Sequence, residues 1–358
     1  MRAAVAYKAE QPLVIEDLAL PQVGPRDVLV RIAASGICHT DLNVISGLSA
    51  LPLPLVPGHE GCGVVEEVGP EVRRVRPGDR VLASVTPACG TCWWCVNSMS
   101  NHCEMNSVVM STPRFRLPDG QPAPALCGCG TFAEAMVVHE ASVVPVVTDL
   151  PDEELALLGC GVTTGLGAAL NTAGVAPGSS VAVIGCGGVG QSVIQGARIS
   201  GAATIIAIDP VAGRREASLR LGATHVVDPS ATDPVEEVRA LTSGRGADYS
   251  FEVVGRPELI VQAFDMARLE GTVTLVGMPA VGTTFTLPAV GAVFSGKRLA
   301  GSVVGGSQIL RDFPRFIRLA EVGKLDLGSL VSRRIKLDEI NDGIDLLTRA
   351  EGVRTVIV

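Results

Sequence analysis

Four cysteines, Cys89, Cys92, Cys95 and Cys103, stand at spacings x2, x2 and x7, close enough along the chain to shut one lobe around a single tetrahedral metal ion. Thiolates bind Zn²⁺ at ~2.3 Å and fill all four positions, so such a site leaves no place for substrate and turns metal affinity into local folding energy. A ferredoxin-type cluster would want x2, x2, x3 with a proline after the fourth cysteine, whereas here Glu104 follows Cys103. A disulfide framework is disfavoured too, because the remaining cysteines are scattered through a long chain with no secretory signal. The spacing therefore predicts a structural zinc lobe.

At 358 residues the chain is too long for one small core and fits two domains. Hydrophobic residues make up 47% of it, yet no apolar run reaches the ~18 residues a membrane span needs, and the start, MRAAVAYKAEQPLVIEDL, carries charges where a signal peptide is apolar. A cytoplasmic protein with no membrane partner is expected. The net charge of −8, with no basic run, disfavours a nucleic-acid or anionic-membrane surface.

Residues 1 to about 160 are rich in short Val/Ile runs broken by Pro and Gly, such as DVLVRIAASGI, GCGVVEEVG and DRVLASV, which predicts a mostly antiparallel β domain. From about 162 to 303 apolar runs alternate with helical stretches: SVAVIG, VGQSVIQGARISG, ATIIAID, GRREASLRLG, THVVD. That rhythm predicts an α/β fold with a parallel, doubly wound sheet. The tail, DEINDGIDLLTRAEGVRTVIV, returns to a helix and a strand that fold back onto the first domain.

At the entry to the second domain, the strand Val181 to Ile184 runs into Gly185-Cys-Gly187-Gly188-Val189-Gly190 and then a helix. The glycines allow a tight turn and a close approach of backbone to a pyrophosphate seated on the helix N-terminus. Asp209 ends the next strand, where a carboxylate accepts hydrogen bonds from an adenosine ribose and repels a 2′-phosphate, favouring NAD over NADP. Arg214 is a candidate companion on the adenosine side, although an arginine at an exposed helix start is often only solvated. No arginine is expected close enough to neutralise both Asp209 and a 2′-phosphate.

A third constellation is dispersed: Cys38 in GICHTD, the His59-Glu60 pair in PGHEGCG, and Cys160 in LLGCGVTTG. A lone buried cysteine is more often an apolar filler than a ligand. One imidazole and two thiolates together make the three-ligand open site of a catalytic zinc, with a fourth position for water or an alcohol oxygen. Asp41 is a natural acceptor for the far nitrogen of His59.

GICHTD, PGHEGCG, the four-cysteine lobe, LLGCGVTTG, GCGGVG with Asp209, and the terminal VRTVIV together resemble the zinc-dependent medium-chain alcohol dehydrogenases, in order, from near the start of the chain to its end. The resemblance implies a GroES-like catalytic domain of residues 1–161 and 304–358, with a Rossmann coenzyme domain of residues 162–303 between, binding two zinc ions and NAD. It implies that Cys38, His59 and Cys160 hold the catalytic zinc, that Glu60 is the acid beside the metal, and that the Thr40 hydroxyl accepts the alcohol proton. His39 and Arg354 resemble the basic pair over the cofactor pyrophosphate. Thr164 is placed near the nicotinamide, with Val276 and Met278 on its far side. Val85, Met278, Val303 and Val304 match the substrate pocket.

The resemblance further implies an alcohol or aldehyde substrate, Lewis-acid assistance by zinc, and a homodimer or homotetramer. Liver-type members of the family relay the proton to a histidine three positions beyond the hydroxyl; here that position is Asn43, so the proton leaves by water or another route. The aliphatic pocket positions predict bulky primary alcohols. CHTD also resembles the thiol-dependent formaldehyde dehydrogenases, but Ser49 and Ser107 stand where the glutathione-using group carries an acid and an arginine, leaving only a different, neutral thiol adduct as the alternative. A zinc-stabilised binding protein without catalysis is the non-enzyme alternative, and the intact Cys/His/Cys set weighs against it.

Overall fold

A computed structural model describes residues 1–19, 22–49 and 51–358. The chain divides into two compact units, residues 1–161, 308–323 and 327–358 in the first, and 162–307 with 324–326 in the second. The return to the first unit thus falls after Ser307 rather than after Val303. The turn Val303–Gly306 stays with the second unit, because Gly305 lies against the carbonyls of Thr163 and Thr164 with no room for a side chain. Thr172 Oγ1 to Ser302 Oγ at 3.0 Å and Asn171 Nδ2 to Ser307 Oγ at 3.4 Å hold the same turn. Residues 324–326 rejoin the second unit through Gln195, whose amide exchanges two hydrogen bonds with the Asp326 backbone at 2.8 and 3.0 Å.

In the first unit β1 (Arg2–Val5) pairs with β2 (Val14–Asp17). β3 (Asp27–Gly36), β4 (Glu60–Val68) and β5 (Arg80–Ala83) form the centre of its main sheet, and β6 (Phe115–Arg116) and β7 (Pro122–Ala123) make a small separate ladder. β8 (Ala135–His139) and β9 (Val143–Pro145) complete the part before residue 161. The second unit holds β10 (Ser180–Ile184), β11 (Thr204–Ile208), β12 (His225–Val227), β13 (Ala247–Glu252), β14 (Ala267–Leu275) and β15 (Arg298–Gly301). β16 (Val331–Ile335) and β17 (Arg354–Ile357) return to the first unit.

The main sheet of the first unit runs β16-β17-β3-β4-β5-β9, with β8 also on β3, and is antiparallel except between β16 and β17. Its register fixes a site. Gly36 at the end of β3 pairs with Val356 on one side and Glu60 on the other, which brings the C-terminal strand beside the residue that follows His59.

The sheet of the second unit has the order β12-β11-β10-β13-β14-β15, every pair parallel, the doubly wound arrangement in which ligands bind outside the carboxyl ends of the strands. Its near-continuous apolar strands follow from burial on both faces. Alternation along each strand sorts the side chains: Val181, Val183, Ile205 and Ala207 join one core with Val193, Ile194 and Ala197 of the helix Gly188–Ile199. Ala182, Ile184, Ile206 and Ile208 join the other with Val238, Ala263 and Phe264 of the helices Pro234–Leu241 and Pro257–Met266. Among the described residues no single helix is long and apolar enough to cross a membrane.

Candidate functional site

Cys38 caps the helix His39–Ile45 in an extended conformation, His59 immediately precedes β4, and Cys160 immediately precedes the helix Gly161–Gly167. The segments around these positions bring Cys38, His59, Glu60 and Cys160 together, with one ligand atom from each lying within 4.8 Å of every other. Asp41, fully buried, organises this cluster. It accepts hydrogen bonds from Cys38 N at 2.9 Å, from Gly58 N at 2.9 Å and from His59 Nδ1 at 3.0 Å. With Nδ1 bound to the carboxylate, the His59 imidazole turns Nε2 inward, where it is buried without a hydrogen-bond partner among the described residues. A buried, unsatisfied ring nitrogen facing two thiols is costly as it stands and is what a metal ion would satisfy.

The protonation of the cluster points the same way. The hydrogen bond between the two thiols holds Cys38 well below the ordinary thiol value and pushes Cys160 well above it. Burial works against a charged His59, yet Asp41 and the neighbouring Cys160 raise it well above its ordinary value. A divalent ion binds thiolates and neutral imidazole, so its entry would release these protons. The donor set of two sulfurs and one nitrogen suits zinc.

Glu60 is fully buried and doubly engaged: Oε1 accepts from Gly161 N at 2.9 Å and Oε2 pairs with Arg354. It thus braces the backbone beside Cys160 as well as standing next to the metal donors. Arg354, 7% exposed, pairs with Glu60 within the first unit, its Nε buried and without a partner among the described residues. His39 is exposed at the start of its helix and Thr40 is half-buried, its hydroxyl 3.9 Å from Cys38 Sγ. Val85 is only 6% exposed in the first unit. In the second unit Met278 is 57% and Val303 48% exposed, while Thr164, Val276 and Val304 are half-buried.

In the cysteine lobe, Cys89 Sγ lies 3.9 Å from Cys95 Sγ and Cys92 Sγ 3.9 Å from Cys103 Sγ. A tetrahedron of sulfurs with ~2.3 Å bonds to zinc has edges of ~3.8 Å, so the lobe fits that ion. Cys89 accepts from the amides of Thr91 at 3.4 Å and Cys92 at 3.3 Å; against its burial these draw the thiol down to about 6.

In the second unit, Gly185 adopts φ 90°, and a side chain at Gly190 would run into the Gly185 carbonyl. A Cβ on Gly187, by contrast, would meet nothing within 4 Å. The turn is therefore closed on itself and open on the side facing the N-terminus of the helix Gly188–Ile199, a cradle that fits a pyrophosphate. Asp209 accepts from Cys186 N and Val211 N, each at 2.8 Å, leaving lone pairs free on both oxygens. Arg214, the candidate companion, stands beside it: its Nη1 lies 3.9 Å from Asp209 Oδ2, its Nε is buried without a partner among the described residues, and Arg215 donates to the Asp209 carbonyl at 2.7 Å. One residue the sequence analysis missed is Glu252, fully buried at the end of β13; a charged residue closing the apolar run of SFEVVG was its signal.

Residues 24–151 match the family model for the alcohol dehydrogenase GroES-like domain, and residues 188–321 that for zinc-binding dehydrogenases. An NDMA-dependent alcohol dehydrogenase of Amycolatopsis methanolica is 39% identical over 368 residues, covering 100% of this chain and 98% of the relative. The crystal structure of benzyl alcohol dehydrogenase from Acinetobacter calcoaceticus superimposes with a TM-score of 0.93 at 32% identity, over 99% of this chain and 98% of that one. An alcohol dehydrogenase zinc-binding domain protein from Burkholderia ambifaria gives a TM-score of 0.94 at 34% identity, with 99% and 98% coverage. With both domain models matched and full-length relatives above thirty per cent identity, the chain belongs to the zinc-dependent medium-chain alcohol dehydrogenases and is an oxidoreductase of small-molecule alcohols.

Proposed function

We propose that this enzyme is NAD-dependent, holds a catalytic zinc on Cys38, His59 and Cys160 and a structural zinc on Cys89, Cys92, Cys95 and Cys103, and interconverts bulky primary alcohols with their aldehydes. The observation that carries this is the inward-facing His59 Nε2, without a partner among the described residues, gathered with the Cys38 and Cys160 thiols. When bound, zinc supplies Lewis acidity to the substrate oxygen and the nicotinamide supplies the hydride acceptor.

The residues then do the following. Asp41 fixes the His59 tautomer and, through Cys38 N and Gly58 N, the two backbone segments that carry donors. Thr40 presents its hydroxyl next to Cys38 and takes the proton from the alcohol. Asn43 has no basic lone pair to receive that proton, so it passes to water. Glu60 and Arg354 neutralise one another and hold Gly161, hence Cys160, in place. Gly185 to Gly190 and Asp209 bind the dinucleotide, and the carboxylate favours NAD.

Benzyl alcohol in the name of one structural relative supports an aromatic primary substrate, and NDMA in the name of another relative makes the acceptor the point to test. Turnover of ethanol, benzyl alcohol, an allylic alcohol, a medium-chain and a secondary alcohol is to be measured with NAD, NADP or NDMA supplied in turn, alongside metal analysis. Two zinc ions per chain and fastest turnover of the bulky primary alcohols with NAD are expected. Equal efficiency with NADP, or activity with NDMA alone, would overturn the acceptor; activity only on formaldehyde with an added thiol would establish the adduct dehydrogenase instead.

A further inference from the structure

The glycine turn shares the carboxyl edge of the parallel sheet with two loops, and one side chain ties them together. Glu252 ends β13, in register with Ile184 on β10 and Leu275 on β14. Its side chain folds forward, Oε1 accepting from Val254 N at 2.9 Å and from Gly255 N at 2.7 Å. Its carbonyl accepts from Val276 N at 2.8 Å and Gly277 N at 3.0 Å, while Val253 N donates to the Ile184 carbonyl at 3.0 Å. Residues 253–255 and 276–277 are thereby fixed to each other and to the strand that delivers Gly185.

What this holds in place is the rim of the turn. Val254, 46% exposed, stands so close over Gly185 that a Cβ there would be 2.5 Å from Val254 Cγ2. Gly255, at φ 89°, lies against the Met278 backbone, where a Cβ would be 2.6 Å from the carbonyl carbon. Both contacts are made by the two residues whose amides Glu252 Oε1 accepts from.

A carboxyl group is a costly means of packing this spot. Glu252 is fully buried beside apolar strand ends, and Oε2 has no hydrogen-bond partner among the described residues. Burial pushes its carboxyl above the ordinary value, against the amides of Gly255, Val254 and Arg256. An apolar residue would avoid that penalty but would release the two amides. Resting on the NAD assignment above, we propose that Glu252 is a positioning residue of the dinucleotide site, holding the loops Val253–Gly255 and Val276–Met278 in the shape the cofactor meets.

The test is direct NADH binding, followed by fluorescence or calorimetry, with zinc content and melting temperature measured in parallel. Glu252→Gln keeps an acceptor oxygen of the same reach and should bind NADH within about threefold of the wild type. Glu252→Ala frees both amides and should weaken NADH binding at least ~10-fold, the equivalent of ~1.4 kcal/mol, with the KM for NAD rising, the KM for alcohol unmoved and zinc content intact. If the alanine variant fails to fold, Glu252→Asp decides, since its shorter arm cannot reach both amides and should bind NADH more weakly than the glutamine variant. Alanine or aspartate variants that bind as the wild type does, or a glutamine variant as weak as alanine, would overturn the assignment. A wild-type enzyme that binds no dinucleotide would instead sink the cofactor proposal itself.

Discussion

Asp41 shows how much one buried carboxylate arranges: with three donors converging on it, it is the hinge between the segment that begins at Cys38 and the one that carries His59. Replacement by Ala would leave Cys38 N, Gly58 N and His59 Nδ1 unpaired in the interior, at ~1–3 kcal/mol for each donor left unsatisfied. Asp41→Ala should therefore lower the denaturation midpoint severely, whereas Asp41→Asn, which retains an acceptor oxygen, should keep the fold and lose ~10- to 100-fold in affinity at one zinc site. Zinc competition with a chelator checks this; wild-type affinity in both variants would show that Asp41 does not orient His59. At the adenosine side a different residue sets the balance. With Arg214 only 3.9 Å from Asp209 and its Nε unpartnered, the carboxylate masks a cation that a 2′-phosphate could use. Asp209→Ser should shift the NADP/NAD ratio of kcat/KM upward by at least ~10-fold, or ~1.4 kcal/mol, while NAD affinity itself falls because the Cys186 and Val211 amides lose acceptors. An unchanged ratio would mean that Arg214 is too firmly held to take part.

The cysteine lobe and the parallel sheet depend on different forces. In the lobe, the short helix Trp93–Val96 buries none of its residues, so on the proposed assignment the structural zinc rather than a core holds it. Cys92→Ser should therefore lower the melting temperature and expose residues 89–103 to protease, whereas Cys38→Ser should abolish turnover and leave the melting curve close to wild type; the reverse pattern would exchange the two sites. In the sheet, Asp248 bridges the starts of β10 and β13, accepting from Ser180 N at 2.8 Å, Ser180 Oγ at 2.7 Å and Arg268 Nε at 2.6 Å. Burial alone would raise its carboxyl, but these donors bring it below the ordinary value. A carboxyl lowered on folding contributes stability that is full above the unfolded value of ~3.9 and is lost as pH falls below it. Asp248→Asn should hence flatten the acid limb of unfolding free energy below pH ~4, and an unchanged slope there would remove Asp248 from the account. Elements of this kind were legible in the sequence where a pattern is local: the cysteine spacing, the strand-turn-helix around Gly185, and the Val/Ile runs all state their own environment. The bridge from Glu60 to Arg354 was not, since it joins residues nearly the whole chain apart through the register of β17 on β3. Glu252 was hidden for the same reason: side-chain direction at a strand end depends on neighbours that periodicity does not name.

At the scale of the whole molecule, the proposed function draws on residues of each unit: the cysteine–histidine cluster belongs to the first, the glycine turn and Asp209 to the second. In the first unit Thr40 stands two residues from Cys38 with its hydroxyl 3.9 Å from Cys38 Sγ, and its branched methyl is proposed to narrow the space next to the metal donors. In the second unit the proposed substrate-lining residues are aliphatic, Met278 57% and Val303 48% exposed and Val304 half-buried, and with aromatic residues only 3% of the chain few rings are available to close such a space. A primary alcohol with a long or planar apolar group meets these conditions, whereas a secondary alcohol must fit its second substituent beside Thr40. Each further buried methylene is worth ~0.8 kcal/mol, so kcat/KM should climb roughly fourfold per carbon from ethanol until the space is filled. Val85 is a poor place to test this, because at 6% exposure a larger ring there would overpack the first unit. Val303, 48% exposed, has room, and Val303→Phe should cut kcat/KM for benzyl alcohol far more than for ethanol, with melting temperature and zinc content unchanged. A maximum at ethanol in the unmodified enzyme, a preference for secondary over primary alcohols, or equal losses on benzyl alcohol and ethanol in the Val303→Phe variant would each show that these residues do not bound the substrate.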